Sequence, residues 1–217
     1  MRIRFLPFFL CLVLLSAQAA GQAAAQTSWT GDADLDAAFA HNNAGRYEEA
    51  FALFSKLYKR GVPMAGTMVG RYYEDGRAVP QDQRKAMTLY TEARSRGDAL
   101  GAYHYVRVSS DGWTRITSKE LERLVATLTP EAEAGNAPVQ TVLAATYLFL
   151  SGAGPELSRW TPPEARGLAK EWMLKAAEAG YAPAQSNMTI FYTDDAQEWL
   201  EKAAAAGYPP ALRQLGR

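Results

Sequence analysis

AKEWMLKAAEAG, Ala169 to Gly180, returns as AQEWLEKAAAAG, Ala196 to Gly207, and more loosely as AMTLYTEARSRG, Ala86 to Gly97. Two weaker copies precede and separate these: AFALFSKLYKRG, Ala50 to Gly61, and LVATLTPEAEAG, Leu124 to Gly135. The closing glycines lie 36, 38, 45 and 27 residues apart. A period of that length belongs to stacked helical repeats and not to a fold built around one compact core.

Ala65 to Gly97, AGTMVGRYYEDGRAVPQDQRKAMTLYTEARSRG, is the most regular copy and shows how one repeat is written. Ala65, Val69, Tyr72 and Tyr73 recur at helical spacing, which predicts a first helix from about Pro63 to Glu74 with one apolar face. Gly76 ends it, and Val79-Pro80 makes an extended connector because the residue before proline is pushed out of the helical region. Asp82 is a natural N-cap for a second helix that turns Ala86, Leu89, Tyr90 and Ala93 inward and closes at Gly97. Small residues near the start of the first helices (Ala65, Ala184, Ala211) and five positions on (Gly70, Ala144, Gly216) let neighbouring helices approach closely. One such pair buries part of its apolar face alone, so the copies must stack.

The succession of alanine, glycine, tyrosine, glycine, Val-Pro-x-Asp and then Ala-x-x-Trp-x-x-x-Ala-Ala-x-x-Gly resembles the Sel-one-like repeat, a relative of the tetratricopeptide repeat. The resemblance runs from about Asp32 to the C-terminus. It implies an all-α fold, a right-handed α/α solenoid of about five helix-turn-helix repeats and a terminal half-repeat, Pro209 to Gly216. Departures from regularity are informative. Gly45, Tyr47 and Ala50 are nearer the tetratricopeptide pattern, and Pro130 falls inside a second helix, where it is expected to kink or shorten it. Thr117 to Glu120 offers a capping box, and Thr161-Pro162-Pro163-Glu164 reads as a helix start after an expanded connector from Ser151 to Pro163. In the fifth pair Thr193, Asp194 and Asp195 alone separate Tyr192 from Ala196.

Residues 1–26 read as a signal peptide and its cleavage region, leaving 27–217 as a single repeat domain. Arg2 and Arg4 give a basic start, Phe5 to Ala17 is apolar, and small-x-small sites follow at Ala17-Gln18-Ala19 and Ala23-Ala24-Ala25. An apolar run of that length is too short for a spanning helix, which needs about 20 residues. The expected location is therefore the periplasm, with no membrane attachment after cleavage. Cys11, the one cysteine, lies within that apolar run, so the mature chain would have neither disulfides nor thiolate chemistry. The 23 basic and 23 acidic residues balance, and no basic stripe marks a nucleic-acid site.

Solenoids work through their surfaces, and the resemblance implies that the first helices line the concave side. Counting from each repeat's alanine, Arg71 and Arg107 fall in register, with Tyr103, Asp75 and Asp111 beside them. Further along, Leu148, Phe149 and Ile190 make the groove apolar. Two readings of the charged residues are open. Arg71 with Asp75 and Arg107 with Asp111 are i, i+4 pairs worth a few tenths of a kcal/mol on a solvated face. Alternatively, stacked arginines present forked donors to carboxylates of a bound peptide. Trp172 and Trp199 occupy the repeat's own core position. Trp113 and Trp160 lie in connectors, where they either fold back on the array or anchor a partner.

No catalytic or metal-binding motif is present: there is no His-Glu-x-x-His, Gly-x-Ser-x-Gly, Ser-x-x-Lys or Gly-x-x-x-x-Gly-Lys. His104, between two tyrosines, reads as a structural histidine on a helix surface. Cysteine-rich relatives have been discussed as hydrolases of cell-wall-directed antibiotics, and this chain lacks their paired cysteines. The sequence thus predicts a non-enzymatic, cofactor-free binder of another protein or peptide, either an adaptor or regulator or an immunity-type inhibitor of a toxin or enzyme. It leaves the oligomeric state open.

Overall fold

The computed structural model describes residues 28–111, 113, 115–152, 163–191 and 193–217; the apolar leader and Trp160 lie outside the described residues. Among the described residues there are eleven α-helices and no strand. They form five pairs and a final helix: α1 Ala33–Asn43 with α2 Tyr47–Lys59, α3 Pro63–Asp75 with α4 Gln83–Ser95, α5 Ala99–Ser109 with α6 Ser118–Glu133, α7 Ala137–Ser151 with α8 Ala165–Glu178, α9 Ala182–Asn187 with α10 Ala196–Ala205, and α11 Pro209–Gln214. Each helix packs chiefly on the helix before it and the helix after it, and α5 also touches α3 and α7. That sequential packing is the defining property of a solenoid.

Local signals place the helix ends. Asp32, Asp82, Asp98 and Asn136 accept hydrogen bonds from first-turn N–H groups of α1, α4, α5 and α7, and Thr117 with Glu120 forms the full capping box of α6. The Ala65 to Gly97 copy folds as its spacing predicts, its first helix reaching Asp75 and its connector leading to the Asp82 cap. At Gly97 the chain passes through φ +86°, a left-handed value that turns it sharply into the next helix.

Two expectations need correction. Helix α6 is not shortened by Pro130; it runs 16 residues. Pro130 and Ala126, whose carbonyl receives no N–H from the proline, are both exposed. Gly216 lies beyond α11, and a Cβ added there would meet nothing within 4 Å, so it is a turn residue and makes no close helix contact, whereas a Cβ at Gly70 would lie 2.8 Å from the Tyr90 ring. The helix after the expanded connector begins at Ala165 with Glu164 as its N-cap, where the Pro163-Glu164 part of the helix-start signal places it; Thr161 and Pro162 lie outside the described residues.

Tyr90, Phe39, Phe54, Met68, Leu121, Leu128, Leu143 and Met173 are fully buried along the seam between inner and outer helices. Each contributes about 1.5–3 kcal/mol of apolar burial. Trp172 and Trp199 are half-buried on the flank of this seam, each with a lysine, Lys175 or Lys202, 4.1 Å from its ring centre.

The array curls until its ends meet. Trp29 Nε1 donates to the Ala179 carbonyl at 3.0 Å, and the Ala137 N–H donates to the Trp29 carbonyl at 2.7 Å. The Trp29 and Phe39 rings both stand edge-on to Tyr181, at 5.6 and 6.2 Å between centroids. Gly45, between α1 and α2, comes so near Pro209 of α11 that a Cβ there would lie 2.8 Å from its ring. Asp36 holds the entering segment in shape by accepting from the Thr30 N–H and hydroxyl at 3.0 and 2.8 Å.

Candidate functional site

Because the ends meet, the inner face curves into a half-open cavity of about 500 Å³. Every first helix contributes to its wall: Asn42 and Asn43 from α1, Arg71, Glu74 and Asp75 from α3, Tyr103, His104 and Arg107 from α5, Thr141 and Ala145 from α7, Asn187 from α9 and Arg213 from α11, with Tyr181 and Tyr208 at the starts of α9 and α11. Its size is within the range of ligand sites.

Glu74 organises the charged side of the wall. Its carboxylate takes the Tyr90 hydroxyl at 2.6 Å and a short bond from Arg107 of the next first helix. Burial opposes the charge on Arg107, and the hydrogen bond and charge of Glu74 outweigh it, so its pKa is raised. Asp75 does not pair with Arg71; its carboxylate meets Arg77 at 3.5 Å, and Arg77 also lies over the Tyr47 ring. Arg71 is half-buried, and among the described residues no carboxylate lies within 4 Å of its guanidinium, nor of that of Arg213. The i, i+4 reading of Arg71 therefore fails, and the ion pairs that form around the cavity run between helices or to a connector.

His104 is buried, 6% exposed, and does not sit on the helix surface. Its ring stacks on Tyr90 at 5.2 Å, and burial, with Arg71 and Arg107 nearby, pushes its pKa well below the usual histidine value. The Arg107 guanidinium lies 3.4 Å from its Nδ1. Among the described residues no three His, Cys, Asp or Glu side chains come together to hold a metal, and no helix is long and apolar enough to cross a membrane.

The positions singled out in the sequence divide. Arg71, Asp75, Tyr103 and Arg107 meet at the cavity. Asp111 is exposed beyond the end of α5 and outside the cavity wall. Trp113 folds back, stacking on Phe149 at 5.4 Å and tilting against Tyr103 at 5.4 Å, so Trp113 and Phe149 pack against one another. Leu148 is half-buried and away from the cavity, and Ile190 is 39% exposed on the outside. Ile190 leaves the register because α9 stops at Asn187 and tightens into a 3-10 turn, Met188–Phe191, whose residues advance by a larger angle. Asn43, Tyr181, Tyr208 and Glu74 were not legible as site residues. The first three join the wall through the closure of the ends, which no repeat register encodes.

A Sel1 repeat family model matches residues 63–98, 140–181 and 193–208. No curated protein matches the chain. Among solved structures it is similar to a Sel1 repeat protein from Oxalobacter formigenes (19% identity, 84% of this chain and 76% of that one, TM-score 0.45). It is also similar to c5321, a protective antigen of uropathogenic Escherichia coli displaying an SLR fold (24%, 86% and 41%, TM-score 0.48), and to the immunity protein Pa5087 from Pseudomonas aeruginosa (19%, 83% and 69%, TM-score 0.49). Its helix pairs stack in sequence, and three stretches of the chain carry the Sel1 repeat.

Proposed function

We propose that this is an exported, non-catalytic adaptor or regulator that holds a segment of another protein in the cavity of its inner face. Sel1-repeat proteins generally mediate protein–protein contact. The observation that carries the reading is the cavity itself, to which every first helix lends polar or aromatic side chains that no other part of the described chain fills. The basic, then apolar, N-terminal stretch with small-x-small sites supports export to the periplasm.

The test blocks the cavity without disturbing its charges. Ala145 is half-buried on the wall, and Ala145→Trp would fill part of the space. Affinity capture from periplasmic extract with the wild-type protein and this variant is compared by mass spectrometry. A partner held by the wild type and lost with Ala145→Trp, at similar melting temperature, is the expected result. The same partners held by both would sink the reading.

A further inference from the structure

We propose that the inner cavity recognises a peptide carboxylate, with the Arg71 guanidinium as its anchor. This rests on the reading of the inner face as the place where a protein segment binds, and adds the chemistry of what is bound. Four arginines line the cavity, Arg71, Arg77, Arg107 and Arg213, against two acids, Glu74 and Asp75. Both acids are already engaged, Glu74 by Arg107 and Tyr90 and Asp75 by Arg77. Arg71 and Arg213 are left without a carboxylate among the described residues, so the wall carries an excess of two positive charges.

The hydrogen-bonding inventory leans the same way. Tyr72 donates to Asn42 Oδ1 at 3.0 Å and Asn42 Nδ2 donates to Asn43 Oδ1 at 3.2 Å, which leaves the buried Asn43 Nδ2, on the same wall, a donor with no acceptor. A guanidinium and a surplus of donors suit a group that only accepts, and a planar fork matches a carboxylate. Tyr103, Tyr181 and Tyr208 give the rest of the wall aromatic faces, against which the side chain next to the carboxylate packs. At about 500 Å³ the space holds the end of a chain or one acidic side chain with its neighbours, and no folded domain.

The carboxylate has two sources, a chain terminus or an Asp or Glu side chain, and the experiment separates them. Randomised N-acetyl tripeptides are displayed with free carboxyl ends, in a second set amidated, and in a third set amidated but containing Asp or Glu. Binding to the first set or the third, with none to neutral amidated peptides, is expected. The best peptide is then measured by calorimetry: Arg71→Gln should weaken it at least about tenfold at an unchanged melting temperature, and Arg71→Lys should restore part of the loss by keeping charge without the fork. Equal binding to neutral amidated peptides, no binding to any set, or unchanged affinity in Arg71→Gln would each overturn the proposal. If no peptide binds yet Ala145→Trp still abolishes capture of a protein, the carboxylate proposal fails alone. Should peptides bind while Ala145→Trp leaves protein capture intact, the functional reading fails and this one stands.

Discussion

Trp29 and Ala179 are 150 positions apart in sequence, and the indole N–H of the first donates to the carbonyl of the second at 3.0 Å. The same residue's carbonyl receives the Ala137 N–H. Ala179 caps the C-terminus of α8, where carbonyls lack helical partners, and Ala137 opens α7, where N–H groups lack them. One residue of the entering segment therefore serves two orphaned helix ends, and its ring packs on Tyr181. Trp29→Ala should lower stability by about 2–3 kcal/mol, and Trp29→Phe, which keeps an edge-on ring, by about 1 kcal/mol. Denaturant midpoints at constant slope would measure both. An unshifted midpoint for Trp29→Ala would mean that this segment does not hold the array.

Gly45 and Gly207 separate two costs of adding a methyl group. Both have left-handed φ, +75° and +77°. A Cβ at Gly207 meets nothing within 4 Å, while one at Gly45 lies 2.8 Å from Pro209 Cγ. Gly207→Ala should cost about 1–2 kcal/mol from the backbone alone. Gly45→Ala should cost more and loosen α11, giving faster proteolysis near the C-terminus. Equal costs and equal cleavage rates would show that the ends do not press together in solution.

How much of this was legible in the sequence follows from what a repeat encodes. Ala65, Tyr72, Asp82 and Tyr90 act within one helix pair or between adjacent ones, so spacing and capping chemistry place them, and Arg71, Tyr103 and Arg107 follow by register. Closure is a property of the whole array. Nothing local to Gly45 announces Pro209, and nothing local to Trp29 announces Ala179, so the repeats do not announce how far the closing ends narrow the groove. Trp113 had two readings because a connector has no register; its stacking on Phe149 decides between them.

Asp98 gives the fold a distinct pH signature. It caps α5 and accepts a hydrogen bond from Thr67, and burial raises its pKa above the ordinary carboxylate value, as burial also does for nearby Glu131. The folded state then holds the Asp98 proton more tightly than the unfolded chain does. Its contribution is fully present below the unfolded value of about 3.9 and is lost as pH rises through the folded pKa. His104 works in the opposite sense, since its lowered pKa costs stability as pH falls below about 6.5. Asp98→Asn keeps an oxygen for the Leu100 N–H and removes the titration. The stability of the wild type relative to Asp98→Asn should therefore be greatest near about pH 3 and decline toward about pH 7. A pH-independent difference would exclude a raised Asp98 pKa.

Glu74 joins three helices, since its own α3 is tied to Tyr90 of α4 and Arg107 of α5 through one carboxylate. The Glu74 side chain is 13% exposed and that of Arg107 29%, so neither charge is well screened. Removing the acid alone leaves Arg107 uncompensated beside Arg71. Glu74→Ala should therefore cost about 2–4 kcal/mol, toward the range for breaking a buried pair. Glu74→Gln, which still accepts from Tyr90, should cost less. A double-mutant cycle with Arg107→Met isolates the pair, and the expected coupling is about 1–3 kcal/mol. Tyr90→Phe supplies the second arm: if its coupling to Glu74 is as large as that of Arg107, the carboxylate is a shared hub, and if it is near zero, Glu74 serves the arginine alone and the α3–α4 contact rests on apolar packing around Gly70.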